Sequence, residues 1–159
     1  MLNRNIKLNK LNNIISLNCA AYSKEAKLKL HLPNEGYEGS GYTMYNTVTS
    51  NRFKTGKFRE VKANTLDDLL ESEGTHIEQI NWIKIDVEGA ELEVLKGANR
   101  ILSISNNISL LIEVHLLGDI TLYEPIRELL NMYNFKIDFE MVHEGGERHI
   151  IARKQKNNE

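Results

Sequence analysis

Apolar and polar positions along the chain fall into short stretches with different periods. Leu2 and Ile6, then Leu8 and Leu11, recur at roughly helical spacing before the turn-prone "LNN", which predicts the tail of a helix. "IISLNCA" (14–20) is an apolar run of strand length, and "AKLKLHL" (26–32) alternates strictly, as a half-buried strand does. Residues 33–46, "PNEGYEGSGYTMYN", have no period and read as a long loop. "FREVKA" (58–63) alternates again, and Thr65 with Asp68 outlines a capping box opening the helix "TLDDLLES". The strand "NWIKIDV" follows, then a helix over 90–102 with Leu95, Ala98, Ile101 and Leu102 on one face. Glu91 and Glu93 fall in its positive first turn. "ISLLIEVH" (108–115) is the most continuous apolar run and reads as a strand buried on both faces. Pro125 suits a helix start, with Ile126, Leu129, Leu130 and Tyr133 as its apolar stripe. "FKIDFEM" and "RHIIARK" close the chain as strands around "VHEGGE", whose Gly-Gly invites a hairpin. This order predicts an α/β sheet with parallel central strands and an antiparallel pair at the C-terminal end.

Composition narrows the picture modestly. A length of 159 residues suits a single domain over 1–159. A formal charge of −2 lacks the basic excess of a nucleic-acid binder. Lysines are dispersed, the N-terminus has no secretory apolar core, and no apolar run nears the roughly 18 residues that span a bilayer. Neither nucleic acid nor membrane is therefore expected as a partner. The lone Cys19 fits a reducing, cytoplasmic setting and the role of a small packed side chain.

Chemistry concentrates where two strands end. Ligands in open α/β sheets bind beyond the carboxyl ends of parallel strands. One strand ends Lys84, Ile85, Asp86 and the other Glu113, Val114, His115. With the ends aligned, Lys84 lies beside Glu113 as a partly buried ion pair, and Asp86 beside His115 at the mouth. The same residues also fit a plain structural ion pair between solvated strand ends. Gly89 suits a backbone shape that a Cβ forbids, and Glu88 suits a helix start. Asp86, Glu88 and His115 are plausible ligand types for a divalent ion, although no metal-spacing signature occurs. His31, His76, His143 and His149 are scattered and read as surface or packing residues.

The stretch "TLDDLL…INWIKIDVEGAELEVLKGA…LLIEVH" resembles the core signature of the FkbM-type methyltransferases, which use S-adenosylmethionine. The resemblance extends upstream over "NIKLNKLNNIISLNCAAYSKEAKLKL" and so covers essentially the whole chain. It implies a class I methyltransferase-like, Rossmann-like sheet in which Asp86 ends the fourth strand and His115 the fifth. It further implies methyl transfer to a hydroxyl of a small molecule or sugar. Asp86, His115, Glu113 and Lys84 would form the catalytic group, and Glu88 and Gly89 would adjoin the cofactor. His115 or Asp86 would take the acceptor's proton, and the segment around Tyr37 to Tyr45 would cover the acceptor. The sequence departs from the family pattern in lacking the early strand, glycine-rich turn and acid-tipped second strand; Gly36, Gly39 and Gly41 come too late to stand in. The chain accordingly reads as the C-terminal two-thirds of the fold, without strands one and two. The alternative expectation is a fragment without activity of its own. It would bind cofactor only with a second copy or a complementing chain at the exposed sheet edge.

Overall fold

The protein is seen in a computed structural model that describes residues 2–31, 58–117 and 120–155. Gly36, Gly39, Gly41 and the segment from Tyr37 to Tyr45 lie outside the described residues. The chain opens with helix α1 (Leu2–Leu8), closed off by Lys10 in the left-handed region. The run at 14–20 becomes a strand only at its end, β1 (Ala20–Ala21), which pairs in parallel with β3 (Phe58–Asn64). Ile14 and Ile15 remain exposed, so apolar content alone did not make a strand without a neighbour to bond. β2 (Ala26–His31) pairs antiparallel with β3, completing a three-stranded sheet in the order β1-β3-β2.

Helix α2 (Leu66–Ser72) starts where Thr65 accepts a hydrogen bond from the Asp68 N–H. After a 3-10 turn at Ile77–Gln79 come β4 (Trp82–Ile85), α3 (Glu91–Lys96), α4 (Asn99–Ile104) and β5 (Ser109–Val114). A short hairpin, β6 (Leu116–Leu117) with β7 (Ile120–Thr121), leads to α5 (Tyr123–Met132). Pro125 lies in the first turn of α5, where its missing N–H has no intrahelical partner to lose. β8 (Phe135–Val142) and β9 (Arg148–Lys154) finish a four-stranded sheet ordered β4-β5-β9-β8. β4 and β5 are parallel; β9 runs antiparallel to both β5 and β8. The architecture is mixed α/β with parallel and antiparallel strands in two main sheets.

Two expectations need correction. The helix expected over 90–102 is two helices, broken at Gly97 and Ala98. A Cβ on Gly97 would lie 2.0 Å from the Tyr22 carbonyl oxygen, so only glycine lets the chain after β1 cross there. Asp67, buried, accepts from the Arg100 and Ile101 N–H groups at 2.8 and 3.1 Å and thereby caps α4 from a neighbouring helix. The second correction concerns β5, whose alternate residues Leu110, Ile112 and Val114 are fully buried while Leu111 and Glu113 are only partly covered. The core therefore fills one face of the sheet. Ile85, Leu95, Ile101, Leu102, Ile126, Leu130 and Ile150 meet there beneath α3, α4 and α5. The opposite face carries Trp82, Phe139 and Met141, all substantially exposed.

Candidate functional site

β4 and β5 run in the same direction, so their carboxyl ends open at one edge of the sheet. Their register differs from the expected one by two residues: Lys84 lies opposite Leu111, not Glu113. Lys84 instead bonds Asp86 on its own strand at 2.8 Å, and its side chain is 61% exposed. The hydrogen bond to Asp86, followed by that carboxylate's charge, raises the Lys84 pKa. The expected Lys84–Glu113 ion pair is thus replaced by a solvent-facing pair along β4.

Beyond β4 the chain turns through Glu88 at φ 53° and Gly89 at φ 96°. The left-handed region is costly for a residue with a Cβ, and such strain collects at functional sites. Here it swings Glu88 back over the strand ends. Gly89 donates its N–H to Glu91 Oε1 at 2.9 Å, which ties the turn to the first residue of α3.

His115 follows β5 and is only 5% exposed. Its Nδ1–H donates to Glu91 Oε1 at 2.8 Å, and Glu91 is fully buried. Glu91 Oε2 has no hydrogen-bond partner among the described residues. The opposite ring nitrogen, Nε2, faces Glu88 Oε2 at 3.6 Å and Glu113 Oε1 at 3.7 Å. Burial alone would lower the His115 pKa, but the Glu91 hydrogen bond and charge, with Glu88 and Glu113, outweigh it and raise the value to about 9. Glu88 is shifted upward chiefly by burial, against the attraction of His115 and with the repulsion of Asp86, Glu113 and Glu147.

Glu113 reaches further. Its Oε2 lies 2.9 Å from His149 Nε2, and His149 Nδ1 lies 2.7 Å from His143 Nε2. A polar thread thus runs from Glu91 through His115, Glu113 and His149 to His143 on the β8–β9 turn. The structure brings Asp86, Glu88, Glu113 and His115 together, with donor atoms of Asp86, Glu88 and His115 within 4.8 Å of one another. It adds Glu91 and His149, which helix position and scattered spacing had assigned to ordinary roles. The available signal for Glu91 was the register of β5, which the sequence did not reveal. A surface hollow of about 640 Å³ lies elsewhere, lined in part by Tyr123, Arg127, Phe135 and Asp138, and none of Asp86, Glu88, Glu113 and His115 lines it.

No helix among the described residues is long and apolar enough to cross a membrane. Among curated proteins and among solved structures, no significant match to the chain is found. The sequence model of the methyltransferase FkbM domain, by contrast, matches residues 2–137, which include β4, the Glu88–Gly89 turn, Glu91, Glu113 and His115. That family implies a Rossmann-like methyltransferase fold and the use of S-adenosylmethionine. Matched over most of its length, the chain belongs to the FkbM methyltransferase family.

Proposed function

We propose that this domain methylates a hydroxyl of a small molecule or sugar with S-adenosylmethionine, in a cytoplasmic setting that the single free thiol suits. The observation that supports this most is the convergence of Asp86, Glu88, Glu113 and His115 beyond the parallel pair β4 and β5, where α/β sheets hold ligands. When bound, S-adenosylmethionine supplies an electrophilic methyl group on a positively charged sulfur. Such a cation suits a mouth where carboxylates outnumber Lys84 and His115. For the adenosine end the described residues offer no glycine-rich strand–turn–helix, and none is assigned to it.

Asp86 accepts the proton released as the acceptor oxygen exchanges its bond to hydrogen for one to carbon. One Asp86 oxygen stays bonded to Lys84, and 36% exposure of the side chain lets the proton pass on to solvent. His115, tied to Glu91 through Nδ1 and facing Glu88 and Glu113 with Nε2, holds the carboxylates around Asp86 in place and is not assigned the base role. Calorimetric titration of S-adenosylmethionine into the folded 159-residue chain tests the reading, with micromolar binding expected. Asp86→Asn should then lower turnover by about 100-fold or more while binding changes little. Unchanged turnover would remove Asp86 from the role.

A second reading has its own support. β4 is an edge of its sheet among the described residues, and Trp82 beside that edge is 57% exposed. Edges with free backbone groups invite strand addition. In this reading a second chain adds strands at β4 and completes the cofactor cleft. A folded chain that binds no S-adenosylmethionine alone but does so as a sedimenting oligomer favours it; a monomer that binds sinks it.

A further inference from the structure

We infer that Asp86, Glu88 and His115 form a binding site for one divalent cation of the first transition row, of the Mn2+ type. The donor set is two carboxylates and one imidazole, with donor atoms within 4.8 Å of one another. Ligands about 2.1 Å from a common ion stand roughly 3 to 4 Å apart, so a contraction of roughly 1 to 2 Å at most closes the site. Asp86 is the most exposed of the three and can make that movement with its oxygen not held by Lys84.

The cluster is more than a group of acidic side chains. His115 is a nearly buried ring whose Nε2 points into the cluster and makes no hydrogen bond among the described residues. Its other nitrogen is fixed by Glu91, which is completely buried and reaches back from the first residue of α3. A carboxylate behind an imidazole is the arrangement that orients metal-binding histidines and sharpens the basicity of the outer nitrogen. Glu88 is brought over that nitrogen only through a left-handed backbone at φ 53°. Glu113, with Oε1 3.7 Å from Nε2, can serve as a fourth ligand or remain behind the ion. One imidazole among oxygen donors favours Mn2+ or Zn2+ over Mg2+ or Ca2+, which prefer oxygen alone. The inference stands whether or not the chain transfers methyl groups.

The test adds Mn2+ to the purified full chain at pH 8 and follows loss of the free-ion signal by electron paramagnetic resonance. One bound Mn2+ per chain is expected. Asp86→Asn and Glu88→Gln should each weaken binding at least tenfold. Glu91→Gln should weaken it roughly 10- to 100-fold through loss of His115 orientation. Glu144→Gln, an exposed acid on the β8–β9 turn, should leave it unchanged. Circular dichroism checks that each variant is folded, and the partly exposed Asp86→Asn is the variant best placed to remain so. No binding up to millimolar Mn2+ would overturn the inference in favour of an ion-pair cluster closed by the imidazolium. Binding indifferent to both Asp86→Asn and Glu88→Gln would place the ion elsewhere and overturn it equally. Neither readout uses methyl transfer, so failure here is separate from failure of the proposed reaction.

Discussion

Gly97→Ala offers a test in which the sign of the effect is diagnostic. Gly97 has φ −85°, which any residue adopts, so adding a methyl group here would ordinarily stabilise by about 0.4–1 kcal/mol through the unfolded chain. The structure demands the opposite. The new Cβ would stand 2.0 Å from Tyr22 O, 3.0 Å from Tyr22 C and 3.3 Å from Thr65 Cα, all backbone atoms. None can swing aside as a side chain would. Tyr22 is tied to β3 through its N–H to Asn64 O at 2.8 Å, and the Gly97 carbonyl is held by the Asp67 N–H at 3.1 Å. Overpacking of this kind costs about 1–3 kcal/mol, and a clash with fixed backbone belongs at the upper end. After the unfolded-state gain, a net loss of about 2 kcal/mol is expected. With a urea slope of about 2 kcal/mol per M, the midpoint should fall by about 1 M. Gly145→Ala is the control: nothing lies within 4 Å of its Cβ position, and its φ is outside the left-handed region. An unchanged or raised midpoint for Gly97→Ala would refute the close crossing of β1 and the α3–α4 junction.

Other expectations follow from the same contacts. Because the folded pKa of His115 is raised from 6.5 to about 9, its contribution is complete below pH 6.5 and disappears as pH rises through 9. In the presence of a chelator, the chain should therefore lose up to about 3 kcal/mol between those pH values, and Glu91→Gln should flatten that slope in urea titrations. Asp67→Ala should cost about 1–2 kcal/mol by leaving the Arg100 and Ile101 N–H groups without their acceptor, read as a lower midpoint with unchanged slope. Lys84→Met should leave the urea midpoint essentially unchanged, and a double-mutant cycle with Glu113 should show almost no coupling. Clear coupling in that cycle would restore the pair that strand-end alignment suggested.

Much of the fold was legible where one face of an element is buried. β2 and β3 follow from strict alternation, and α5 from its stripe of Ile126 and Leu130. The strand ends carrying Asp86 and His115 were legible because polar residues interrupt apolar strands there. Their register was not. The offset between parallel neighbours is fixed by how α3 and α4 pack in the crossover, and nothing in the apolar pattern of β4 or β5 encodes it. That single offset separates Lys84 from Glu113 and turns His115 toward Glu88 and Glu91. Glu91 was hidden for a related reason: a carboxylate in a first helical turn is usually solvated, and only the tertiary position of His115 makes this one buried. The split of the helix at Gly97 was likewise invisible, because its cause is Tyr22, distant in sequence.

The order β4-β5-β9-β8 carries a consequence for how the chain is made. β9, Arg148–Lys154, follows both β5 and β8 in the sequence, yet it lies between them in the sheet. Until it arrives, β5 has a free hydrogen-bonding edge along Ser109–Val114, and β8 has no other strand partner among the described residues. Closure of the sheet therefore waits for β9 and joins residues far apart in sequence, with a correspondingly slow and aggregation-exposed interval. The family match ends at residue 137, but a nascent chain stopped there would still lack the strand that holds β5 and β8 in one sheet.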